Sequence, residues 1–513
     1  MLTVIRLAFF SLLLLLTLVS LLEYSGSSWV FLLYSAVFIG LLFNGLSRGA
    51  LYFDTFIGVF LWLGFWLKTA FRVAFMDGKY YVSTGAFDGS GAMHDAGLMA
   101  ASIGGLGFLL ASLLRRQIWT PSRELESSGN PALYAFYLRF KHPLWLAFGL
   151  LTLGVCISNV YFGFYQRGQV ARTVLPWGLN GIFAWLLQFG LASIAAFFIH
   201  FELREKERFT WAALFFPLFE SFSSNLSLFS RGMILNVSGF LAAGIRVIAV
   251  RKVPWVVPVF LGGGVFIGLF AVSVYGVNEL RIGSYVEGIE TMAAQKDPIE
   301  PATLRSEDSP PASAKVVKSP EVEEKDDWPA YVGSGEGAEE WRRSVRRELM
   351  VSLFLDRWVG VEGVLAVTSS DQQGWLLWED AWAERFEAGS LTLYDSRLID
   401  SPYKDDGANS DRNHFVSLPG IVAFAWYPGV AWFALLVCFL AGVTGAILEA
   451  VIWYLGAANP FLTGLLSQVV AFRFVSFGYV PAQSYLLLGT MLLNVFMIYL
   501  LERGLHRIRE RAR

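Results

Sequence analysis

Asn413–Leu448 reads NHFVSLPGIVAFAWYPGVAWFALLVCFLAGVTGAIL, and this stretch decides the fold. From about Pro428 it stays apolar long enough to cross a bilayer, which takes ~20 such residues. Just before it, YKDDGANSDR is polar and charged, and two Pro-Gly pairs, Pro419–Gly420 and Pro428–Gly429, interrupt the approach. The pairs predict a short dipping segment ahead of the true span. Broken backbone at membrane depth is tolerated only where it is buried in protein or lines a cavity, so the segment is expected to floor a cavity. His414 stands at its start. An imidazole there can act as a base or hydrogen-bond donor, or can merely cap a helix at the interface.

Over the whole 513-residue chain, 55% of residues are hydrophobic and 16% are charged. Mean hydropathy is +0.51. These values describe a polytopic membrane protein rather than a soluble enzyme. A net charge of −2 gives no footprint for nucleic acid. Both cysteines, Cys156 and Cys438, lie in apolar runs, so neither a disulfide framework nor a Cys/His metal site is expected. No GxxxxGK[ST], HExxH or CxxC motif occurs. The glycine runs at Gly104–Gly107 and Gly262–Gly264 fall inside apolar segments, where they predict close helix packing.

Apolar windows predict spans near residues 4–22, 29–46, 51–71, 95–114, 143–162, 177–200, 209–228, 231–250, 254–276, 428–450, 456–475 and 482–501. The first is read as a transmembrane helix rather than a cleaved signal, since no small-x-small site follows it. Basic residues orient the bundle. Arg115 and Arg116, the ELREKER segment, RVIAVRK and the arginine-rich tail ERGLHRIRERAR all become cytoplasmic if both termini are. The predicted fold is therefore an all-α polytopic membrane protein of about 12 transmembrane helices with one large extracytoplasmic loop. Its expected parts are an N-terminal bundle over 1–277, a linker over 278–337, a helical loop region over 338–416, and a C-terminal bundle over 417–513 with a basic tail. The linker is rich in Pro, Ser, Glu and Lys and predicts disorder. After it, Trp341, Val345, Leu349 and Leu353 recur at helical spacing, opposite Arg342, Arg343, Arg346 and Arg347.

Ionisable residues near or within the spans are the remaining candidates for chemistry. Arg231 and Arg473 fall toward the extracytoplasmic face. Lys68 and Arg72 read as snorkelling cations at the end of the third span. Glu220 is deeper, among serines, and reads as either a hydrogen-bonded packing group or a catalytic one. In FLDRWVGVEGVLAVTSSDQQGW, Phe354–Trp375, Asp356, Arg357 and Glu362 are embedded in apolar sequence. They form either a structural ion pair or a phosphate-binding cation with a nearby acid.

SRGMIL, the large loop, RWVGVEGVLAV and LPGIVAFAWYPGVAWFALLVCFLAGVTGAI together resemble the Wzy-type O-antigen and oligosaccharide repeat-unit polymerases of bacteria. The resemblance covers roughly residues 222–235 and 354–446 and the overall layout; the long linker departs from the family pattern. It implies an integral inner-membrane glycosyltransferase acting on undecaprenyl-diphosphate-linked oligosaccharide at the extracytoplasmic face, with membrane lipid and a chain-length regulator as further partners and no cofactor or metal. On this reading Arg231, Arg357 and Arg473 bind the diphosphate, Glu362 or His414 is the catalytic base, and Trp358, Trp375, Trp378 and Trp382 line the face that takes the acceptor. An O-antigen ligase would share the donor chemistry. A polysaccharide exporter or lipid-linked-sugar flippase would instead spread charges along a path through the bundle, and an assembly scaffold would leave the arginines apart.

Overall fold

The computed structural model describes residues 2–47, 49–80, 82–118, 131–230, 232–251, 256, 260–277, 358–387, 389–399, 401 and 416–511. The chain divides into two compact units, Met1–Arg281 with Leu355–Arg513, and Ile282–Phe354. The second unit lies outside the described residues, as do the expected linker and the Trp341–Leu353 helix.

The first unit is helical, and no β-strand occurs among its described residues. A helix stands at each of the twelve expected positions: α1 (Leu2–Glu23), α2 (Ser28–Leu46), α3 (Tyr52–Phe75), α4 (Gly91–Ile118), α5 (Pro131–Phe162), α6 (Pro176–Lys206), α7 (Trp211–Ser227), α8 (Met233–Arg251) and α9 (Phe260–Val277), then α14 (Ala431–Leu455), α15 (Pro460–Val475) and α16 (Pro481–Arg511) after the short elements described below. Among the described residues, eight helices are long and apolar enough to cross a membrane. The protein is an all-α, multi-pass membrane protein.

Local sequence explains the irregular helices. Pro143 cannot donate its backbone N–H, and α5 loses helical geometry just ahead of it, at Phe140. In α3, Trp62–Leu67 form a π-helical turn, a local widening that often marks functional sites.

Polar contacts tie the helix ends. At one end Arg115 pairs with Asp54 at 2.8 Å, and Glu449 accepts hydrogen bonds from the amides of Tyr52 and Phe53 that open α3. At the opposite end Asp95 of α4 accepts from Tyr24 and from the Ser27 amide.

Four short helices fill that second end: α10 (Val361–Ser369), α11 (Trp375–Ala383), α12 (Leu393–Arg397) and α13 (Ile421–Ala425). Within the expected helical loop region over 338–416, α10 is buried in the bundle against α4. Glycines make this docking feasible. A Cβ on Gly360 would stand 1.8 Å from the Gly64 carbonyl oxygen, and one on Gly363 would stand 2.0 Å from the Pro419 carbonyl oxygen. The first Pro-Gly pair precedes α13, all five residues of which are buried, and the second forms the turn into α14. The dipping segment is thus enclosed by protein, as its backbone requires. Gly104 meets Val422 and Gly107 meets the α14 backbone, whereas Gly263 and Gly264 have nothing within contact distance. Close packing therefore holds for the first glycine run and not for these two glycines of the second.

Candidate functional site

Chemistry concentrates at the end that receives the short helices. Arg473 sits in the last turn of α15, and its Nη2 donates to Ser484 Oγ at 3.1 Å. Its Nε is buried and has no acceptor among the described residues. No ion pair among the described residues includes Arg473. A buried donor left unmet costs about 1–3 kcal/mol, and more when charged, so this guanidinium has room for a further acceptor beyond those the described residues supply.

The wall beside it comes from the connector between α5 and α6. The Tyr165 hydroxyl is within electrostatic reach of the Arg473 guanidinium and accepts from Gln188 Nε2 at 2.5 Å. Asn159 fixes the connector, donating to the Tyr165 carbonyl and to Ser227 while accepting from the Tyr165 amide. Next along the chain, Gln166 is buried and its Nε2 lacks an acceptor among the described residues. Arg167 is exposed and donates to Ser230 Oγ at 3.4 Å. Neither Tyr165, Gln166, Arg167 nor Gln188 was singled out from sequence. The available signal was the compact polar run YQRGQVAR between two apolar segments.

Arg231, Arg357 and His414 lie outside the described residues. Ser230, beside Arg231, is buried and meets Arg167. Trp358, beside Arg357, stacks on Phe60 at 5.7 Å, and Phe60 meets Phe472, the neighbour of Arg473, at 5.9 Å.

Glu362 begins α10 and is almost fully buried. Its Oε1 lies 2.7 Å from Lys68 Nζ, which also donates to the Trp358 carbonyl at 2.6 Å. The snorkelling assignment of Lys68 and Arg72 is therefore corrected: they are 1% and 5% exposed. Arg72 donates to the Lys79 carbonyl at 3.2 Å. Trp358 and Glu362 give Lys68 its acceptors, and the turn that follows α3 gives Arg72 one, in place of water. No family model matches this chain. Neither the curated proteins nor the solved structures contain a match to it.

The tryptophans expected to line an acceptor face divide into two pairs. Trp358 packs on Phe60, and Trp378 packs on Phe424 and Phe433. Trp375 and Trp382 keep 47% and 40% of their surface exposed, while Trp358 and Trp378 are half-buried.

Proposed function

We propose that this protein is an integral-membrane glycosyltransferase that polymerises undecaprenyl-diphosphate-linked oligosaccharide repeat units into a surface polysaccharide. The observation that carries the reading is the buried, acceptor-seeking guanidinium of Arg473. Guanidinium pairs bidentately with phosphate oxygens, and a diphosphate would satisfy its Nε together with neighbouring donors. On this reading the end holding the short helices faces outward from the bacterial inner membrane, both termini are cytoplasmic, and twelve helices span. Arg231 and Arg357 complete the clamp, and Arg167 stands at its rim.

A cleft of about 440 Å³ between α7, α8 and α9, lined by residues such as Leu214, Pro217, Ile234, Leu241 and Phe266, offers an apolar course for the isoprenoid tail. In the reaction a sugar hydroxyl of one repeat unit attacks the anomeric carbon of the growing chain. The new glycosidic bond forms, the bond to the lipid diphosphate breaks, and the hydroxyl proton passes to a base. Glu362 and His414 are the candidates for that base. Positive charge fixed on the departing diphosphate would contribute about 3 kcal/mol per well-aimed donor.

A second reading, an exporter or flippase of lipid-linked sugar, is favoured by one observation: Glu220 is a fully buried carboxyl within α7. Deletion of the gene in its native host separates the readings. A polymerase leaves single repeat units on the lipid at the outer face and no polymer ladder. A flippase leaves them at the inner face, and a ligase leaves finished polymer still attached to the lipid.

A further inference from the structure

We infer that Glu220 is a proton-binding site inside the membrane bundle, loaded at neutral pH and exchangeable with the medium. The inference holds under either functional reading and does not depend on a diphosphate at Arg473.

Glu220 lies midway along α7, one turn beyond Pro217, and is 0% exposed. Its oxygens accept from hydroxyls only, from Ser224 Oγ at 2.8 Å and Ser221 Oγ at 3.3 Å. No cation pairs with it among the described residues. The titratable group facing it from the packed helices is the Cys156 thiol of α5, which brings no positive charge. An ionised carboxylate in that setting would bear its desolvation cost with no opposite charge to offset it, whereas the neutral acid costs far less. Three other buried carboxylates of the long helices have partners that favour the charged form. Asp54 has Arg115, Glu202 has Lys141, and Glu449 has two backbone amides.

Exchange needs a polar route, and the α5–α7 seam provides one. Ser224 Oγ touches Glu220, and the Cys156 thiol lies beside Ser224 and Ser227. Ser227 meets Asn159, which anchors Tyr165 at the end of the bundle. Glu220, Ser224 and Ser227 on α7 and Cys156 and Asn159 on α5 follow helical spacing, so each set shares one face of its helix. The ligand is a proton, and binding it turns the carboxylate into the acid with no other reactant.

Two measurements on purified protein without substrate test this. Infrared spectroscopy should show a protonated-carboxyl C=O stretch at neutral pH that shifts in D2O, fades reversibly in alkali and is missing from Glu220→Gln. Glutamine is the neutral isostere of the acid, so that variant should fold. Separately, dicyclohexylcarbodiimide should modify Glu220 in the wild type. The acid proton moves to a carbodiimide nitrogen as the carboxyl oxygen bonds to the central carbon, and the adduct, read by mass spectrometry, should decline as pH rises. A stretch that persists in Glu220→Gln, a wild-type stretch unmoved by D2O and alkali, or an unmodified Glu220 in folded wild type would each overturn the inference.

Discussion

Lys68 Nζ stands 2.7 Å from Glu362 Oε1, with the two side chains 1% and 6% exposed. One group belongs to a spanning helix and the other to a helix far along the chain, so this pair pins the inserted segment to the bundle. Removing one partner leaves a buried charge uncompensated, which costs about 3–5 kcal/mol. Lys68→Met and Glu362→Gln should each lower unfolding stability in detergent by about that amount. The Lys68→Met/Glu362→Met protein should lose much less than the sum. Strict additivity would mean that the two groups do not support each other. If Glu362 is also the reaction base, the double variant should be stable and inactive.

The glycine contacts make a second prediction. Gly363→Ala drives a methyl into the Pro419 backbone, which cannot swing aside as a side chain would. Overpacking of this kind costs about 1–3 kcal/mol. Gly263→Ala meets nothing within 4 Å and should be neutral or slightly stabilising. Thermal unfolding of the two variants in one detergent compares them. Equal effects would remove the tight seating of α10.

Glu384 sets a pH dependence. Burial lifts its carboxyl above the usual carboxylate range, opposed by amide donation from Leu393 and Val480. The folded protein therefore binds this proton more tightly than the unfolded chain. Stability contributed here grows as pH falls through the folded value and is complete below the unfolded value near 4.5. The unfolding midpoint of the wild type should rise more than that of Glu384→Gln between about pH 7 and about pH 5. Parallel slopes would show that Glu384 titrates alike in both states.

The helical architecture was legible because a span must be apolar along its whole length, and each expected window holds a helix. The two Pro-Gly pairs likewise announced the buried α13 and the turn into α14. The embedding of α10 was less visible. VGVEGVLAV is apolar apart from Glu362, and only its glycines hint that another backbone lies against it. Lys68 misled because a lysine near a helix end looks the same whether water or Glu362 receives it. Tyr165, Gln166 and Arg167 were missed because a short polar connector draws attention only once Arg473 is seen beside it.

The central claim is that Arg473 receives a lipid diphosphate, and direct binding tests it. Undecaprenyl diphosphate is titrated into purified wild-type and Arg473→Lys protein in nanodiscs, with undecaprenol as the uncharged control. Lysine keeps the charge but lacks the fork, and a charge-assisted hydrogen bond is worth about 1.5–3 kcal/mol. The account predicts that the wild type prefers the diphosphate over undecaprenol, and that Arg473→Lys binds the diphosphate about ten- to a hundredfold more weakly at unchanged thermal stability. Equal diphosphate affinity in the two proteins would contradict it.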